Sequence, residues 1–216
     1  MPALEYQRYA NVSIGPGTVI EPGCVIGHPP RGRADGELET IIGAGCTIRS
    51  GTVIYAGARL GDRVQTGHHA LIREDNEIGD GTSIGTNAVL EAGNRIGAGC
   101  RIHSGCFLEL VTLGDEVFVG PNVVFTDDPH PPCPRYAECK RGAIVENRAR
   151  LGANSTLLPG VRVGSGALVG AGSLVAADVP PGTVAAGNPA RAIKAVAELS
   201  CGAGLYARPY AWLEEQ

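Results

Sequence analysis

The 216-residue chain is poor in aromatic side chains, with three phenylalanines and one tryptophan. Any core it builds must therefore rest on aliphatic and small residues. It also lacks basic excess: a net charge of −4 leaves no electrostatic footprint for nucleic acid, which excludes that partner class. No apolar run approaches the ~20 residues that cross a bilayer, which predicts no membrane partner. The opening MPALEYQRYA has neither the charged nor the apolar region of a signal peptide. These absences predict a cytoplasmic chain, whose seven cysteines are then reduced thiols or metal ligands and not a disulfide framework.

What is abundant is glycine and proline, 32 and 15 residues, more than a fifth of the chain. Without a period such a composition indicates disorder; with one it indicates a turn-dense solenoid. The period is present. From Ile42 an aliphatic residue recurs at every sixth place through Ile48, Ile54, Leu60, Ile72, Ile78, Ile84, Leu90, Ile96, Ile102 and Leu108, with Thr66 the single interruption. Ile14, Ile20 and Ile26 form a shorter block before it. After a one-residue slip come Leu113, Val119 and Phe125, and later Val145, Leu151, Leu157, Val163, Val169 and Val175. A helix would repeat at three and four and a plain strand at two. Six fits a short strand plus a turn, repeated.

Glycine often follows the aliphatic residue, as at Gly43, Gly61, Gly85 and Gly152. Two places before it the residue is usually small, as at Ala58, Ala70, Thr82 and Ser155. A narrow, close-packed interior would demand a second inward position of that size. Cys24, Cys46, Cys100 and Cys106 all fall on it and read as small buried hydrophobes. Cys133, Cys139 and Cys201 lie outside the repeat.

The hexads over 14–175 resemble those of the hexapeptide-repeat acyltransferases. The resemblance implies an all-β fold, a left-handed parallel β-helix of triangular section, with three chains around a threefold axis. On this reading residues 1–186 form the helix, with insertions at about 28–40 and 126–143. Residues 187–216 form a short C-terminal helix, NPARAIKAVAEL, and a tail. Pro189 suits the first turn of such a helix.

The repeat breaks over 125–142, FTDDPHPPCPRYAECKRG. TDDPHP resembles the loop of sugar and antibiotic O-acetyltransferases in which a histidine is the general base. VFVGPNVVFTDD, TGHHALIRE and IGTNAVLE look more like the nucleotide-sugar N-acetyltransferases. Histidine, with an ordinary pKa of ~6.5, can take the proton that an amine or hydroxyl loses as it attacks a thioester. His130 is the first candidate for the base, with His68 and His69 next, because they flank the lapse at Thr66. Asp127 or Asp128 would orient the ring. His28 opens a polar excursion, and His103 follows an inward aliphatic, where side chains turn outward.

A second reading of the same loop is a zinc clip. His130, Cys133 and Cys139 form H-x2-C-x5-C, and Cys201 could supply a fourth ligand from the tail. At the other end, VPPGTVAAGNPARAIK resembles the terminal segment of hexapeptide acetyltransferases beside the CoA groove. That implies acetyl-CoA as co-substrate, with Asn188, Arg191 and Lys194 near its phosphates and Ala153, Ala171 and Gly172 near its pantetheine arm. The resemblance points to a homotrimeric acetyltransferase acting on the amino group of a nucleotide-linked sugar. A sugar O-acetyltransferase and a non-catalytic, zinc-clipped scaffold are the alternatives. The three-histidine zinc pattern of γ-type carbonic anhydrases is absent, since Leu108 stands five places after His103.

Overall fold

The computed structural model describes residues 6–211. The first five residues of the expected 1–186 unit and the last five of the tail lie outside it. Most hexads form a strand of two residues followed by a turn. Leu71–Ile72, Glu77–Ile78 and Ser83–Ile84 belong to three different sheets. Leu71 pairs in parallel with Val89, 18 residues on, and Val89 with Phe107. Three hexads therefore close one coil, and stacked coils give a first, second and third face of nine, eight and ten strands among the described residues. The chain is a left-handed parallel β-helix, and among the described residues the helical elements are short turns outside it.

Strand alternation explains the pattern. Ile72, Ile78 and Ile84 are buried, while Leu71, Glu77 and Ser83 point away from the core. The small residues before each strand (Ala70, Asn76, Thr82, Ala88) are buried as well. Each buried aliphatic contributes roughly 1.5–3 kcal/mol, but only because neighbouring coils stack on it. The corners need two kinds of backbone. His69, Asp75, Gly81 and Asn87 hold positive φ, tolerable for Asn, Asp, His and Gly. Gly85 meets a different demand: a Cβ there would lie 2.3 Å from Ser104 N and 2.4 Å from His103 C. Only glycine lets the next coil settle on that corner.

The irregularities are satisfied internally. Thr66 is buried, accepts from Arg49 N at 2.9 Å and meets Thr52 Oγ1 at 3.1 Å. Its replacement of an aliphatic residue is thus answered by a second threonine. The one-residue slip appears as the pairing of Arg95 with Thr112, 17 residues on. There Asn94 donates to Asn76 Oδ1 at 2.9 Å and accepts from Val111 N at 2.8 Å, so a buried amide takes up the shortened corner. Both insertions leave from one edge, between the first and second faces. Val25 pairs with Val53 28 residues on, and Thr112 with Ile144 32 residues on.

The C-terminal segment departs from expectation. Thr183–Gly187 adds a parallel strand to the third face, the chain reverses over Asn188 and Pro189, and Ala190–Ala195 returns antiparallel. The helix expected over NPARAIKAVAEL shrinks to the single 3-10 turn Val196–Glu198. A short isolated helix is marginal in water, whereas the open edge of Thr183–Gly187 offers backbone partners at once.

Candidate active site

Phe125 is the last inward residue before the long insertion and is fully buried. Thr126 Oγ1 donates to Leu157 O at 3.1 Å, tying the loop's root to the coil above. Asp127 follows and is only 2% exposed. Its Oδ2 accepts a short hydrogen bond from Tyr136 OH, and its carboxylate shares a hydrogen bond with Glu109. Glu109 belongs to a column at coil spacing along this edge, Arg73–Glu91–Glu109. Arg73 N bonds Leu90 O and Glu91 N bonds Leu108 O, while Arg73 bridges Glu91 at 2.7 Å. Burial, then the Asp127 charge, pushes the Glu109 carboxyl up to about 7, with Lys140 opposing. Burial and the same aspartate raise the Tyr136 phenol.

Asp127 therefore braces the loop from below and is bonded to Tyr136 and Glu109. Asp128 is the carboxylate beside His130, though it holds the backbone: His130 N donates to Asp128 Oδ1 at 2.9 Å. The His130 imidazole is exposed. One helical turn, Tyr136–Cys139, folds the loop back, with Tyr136 N donating to Cys133 O at 3.0 Å. This brings Cys139 Sγ to 3.3 Å from Cys133 Sγ. Asp128, Cys133 and Cys139 place donor atoms within 4.8 Å of one another. His130 and Cys201 are not part of that cluster. Cys201 sits in a turn of the tail, where backbone N–H groups of Tyr206 and Leu205 hold its thiol below the usual range. The four inward cysteines are buried, and burial pushes the Cys100 thiol up to about 11.

The other candidates occupy the edge between the third and first faces. His69 N donates to Ser50 O and Asn87 N to His68 O. His68 Nδ1 lies 2.8 Å from Ser50 Oγ and 4.0 Å from Glu21. Farther along the same edge Gly172 N donates to Ala153 O at 2.8 Å. Gly187 N donates to Ser173 Oγ at 3.2 Å, which sets Asn188 beside this end of the edge. The structure thus groups Ala153, Ala171, Gly172 and Asn188, with Arg191 and Lys194 exposed on the returning strand. It does not bring His130 together with His68 and His69 within one chain, since they stand on different edges and coils. Glu109 and Tyr136 escaped the sequence reading. Only the recurrence of charged residues at coil spacing, 73 to 91 to 109, pointed to the first of them.

A further pocket of about 440 Å³ opens on the third face, where Arg101, Phe118, Arg150 and Tyr210 meet. The Arg150 guanidinium stacks 3.6 Å from the Tyr210 ring centroid, so the tail is fastened to this face by a cation–π contact.

Residues 142–177 match the family described as bacterial transferase hexapeptide (six repeats). A 2,3,4,5-tetrahydropyridine-2,6-dicarboxylate N-acetyltransferase of Staphylococcus aureus (strain bovine RF122 / ET3-1) is 43% identical over 88 residues, 41% of this chain and 34% of the relative. A galactoside O-acetyltransferase of Lactococcus lactis is 40% identical over 83 residues, 37% of this chain and 40% of that protein. The chain thus spans well under half the length of these relatives. The solved UDP-N-acetylglucosamine acyltransferase of Francisella novicida superposes with a TM-score of 0.70 at 20% identity, over 88% of this chain and 68% of its own, a likeness of fold. Winding, corner glycines and the matched repeats agree: residues 142–177 carry the transferase hexapeptide repeat, and the chain has the fold of the left-handed β-helix proteins it resembles.

Proposed function

We propose that the chain is an acetyl-CoA-dependent acetyltransferase whose acceptor is the amino group of a sugar, carried on a nucleotide. The observation that carries this reading is the exposed imidazole of His130 on a braced loop that leaves a prism of the transferase-hexapeptide type. The matched segments of an N-acetyltransferase and an O-acetyltransferase support acetyl transfer to nitrogen or oxygen.

The residues of the third-to-first edge suit the co-substrate. Gly152 leaves no room for a side chain, since a Cβ would lie 2.4 Å from Ala171 N. With Ala153, Ala171 and Gly172 it makes a shallow track of small residues for the pantetheine arm. Asn188, Arg191 and Lys194 stand near its end, where cations favour phosphate. The thioester would supply an activated acetyl group. His130 would accept the acceptor's proton as the new bond forms. Asp128 holds the backbone of His130, and Asp127 with Tyr136 holds the loop that carries it. Lateral association of three chains around a threefold axis belongs to the same reading.

The test is release of CoA thiol from acetyl-CoA with matched amino- and hydroxyl-bearing sugars and their nucleotide conjugates. Turnover with the amino conjugates is expected, and His130→Ala should lower kcat by about 10²–10⁴-fold at little change in KM for acetyl-CoA. Full activity of His130→Ala would transfer the role to His68 or His69. Turnover with hydroxyl acceptors alone would favour the O-acetyltransferase reading. Absence of acetyl-CoA binding by calorimetry would leave the scaffold reading.

A further inference from the structure

The acetyl transfer proposed above makes no use of the thiol pair in the long loop. Cys133 and Cys139 are half-buried, with sulfurs 3.3 Å apart, and the Asp128 carboxylate lies within 4.8 Å of both. Tetrahedral zinc with two thiolates at 2.3 Å separates its sulfurs by about 3.8 Å, so a widening of about half an ångström would admit the ion. The carboxylate is already oriented by two backbone donors, His130 N at 2.9 Å and Cys133 N at 3.4 Å. Such outer bonds are how metal-ligating carboxylates are usually fixed. The Tyr136–Asp127 bond holds the root of the loop, and its outer part has little else to order it. The turn Tyr136–Cys139 buries no residue, and Pro131, Pro132, Pro134 and Arg135 are exposed. Apolar packing does not hold this segment, and a polar clip would.

We propose that the loop binds a zinc-class divalent cation through Cys133 Sγ, Cys139 Sγ and the Asp128 carboxylate, leaving one tetrahedral position to water. Binding replaces two thiol protons: the ion gains two thiolates and two protons pass to solvent, with no change of oxidation state. Affinity therefore rises with pH. Two soft donors and one carboxylate favour zinc over magnesium or calcium. The site fixes the segment that carries His130 without using its ring, and stands or falls independently of the acetyl-transfer reading.

The experiment is titration of the reduced, metal-free chain with Co²⁺, following thiolate-to-cobalt charge transfer in the near ultraviolet, with Zn²⁺ as competitor. About one ion per chain is expected. The charge-transfer band should vanish in Cys133→Ser and in Cys139→Ser, and binding should weaken at least about 10-fold in Asp128→Asn. His130→Ala and Cys201→Ser should bind as the parent does, which separates this donor set from one that includes either residue. Far-UV circular dichroism verifies that each variant keeps its prism. The proposal is overturned if the reduced parent chain shows no charge-transfer band, if the band survives loss of either loop cysteine, or if it needs His130 or Cys201. A Cys133–Cys139 disulfide found by mass spectrometry in chain purified under reductant would overturn it equally.

Discussion

Replacing Glu109 by glutamine tests whether the carboxyl pair under the loop shares a proton. In the folded chain Glu109 is raised from the ordinary 4.5 to about 7, by burial first and by the neighbouring Asp127 charge second. For a fully buried group that displacement would be worth roughly 3 kcal/mol. Glu109 is half-buried, and solvent screening leaves about 1–2 kcal/mol. The sign follows from proton counting. Between the unfolded and folded values the folded chain holds a proton that the unfolded chain has released. Rising pH therefore costs the wild type stability across that window, and the loss is complete above the folded value. Glutamine presents an N–H donor to Asp127 at every pH and does not titrate. Glu109→Gln should thus gain about 1–2 kcal/mol relative to wild type between about pH 5 and about pH 8. Urea unfolding followed by circular dichroism at fixed ionic strength reads this directly. A difference that stays flat across the range, or a variant that weakens toward alkaline pH, would refute the shared proton.

Two further outcomes follow from packing and charge. Gly85→Ala puts a methyl against the Ser104 and His103 backbone, where no side chain can rotate away. It should lower unfolding free energy by about 1–3 kcal/mol, and an unchanged urea midpoint would mean the coils are not stacked as described. Arg191→Ala combined with Lys194→Ala should raise KM for acetyl-CoA by about 10-fold or more with kcat nearly unchanged, the magnitude of one lost charged hydrogen bond. An unaltered KM in steady-state assays would remove these cations from the cofactor track.

Much of the prism was legible because every coil answers to the same packing demand. Ile72, Ile78 and Ile84 fill equivalent places, so six-residue recurrence carried the fold from residue 14 to 175. The breaks in the repeat at about 28–40 and 126–143 stood out in the sequence for the converse reason, since those residues keep no sixfold recurrence. The last strand was not legible: ARAIKA has a composition that either a helix or a strand accepts, and the open edge of Thr183–Gly187 decided between them. Thr66 invited a functional reading that its bond to Thr52 makes unnecessary. The loop's own geometry was the least accessible. Nothing local tells that Tyr136 reaches Asp127 or that a single turn folds Cys139 over Cys133, because both depend on how a proline-rich excursion returns to its corner.

The reversed strand Ala190–Ala195 carries a consequence for the length of the prism. A parallel winding can in principle go on adding coils, since each finished layer presents the same template to the next. A backbone laid down in the opposite direction spoils that template on one of the three sides. Further windings would then find two sides willing and one refusing, so the hairpin over Asn188 and Pro189 acts as the molecule's ruler.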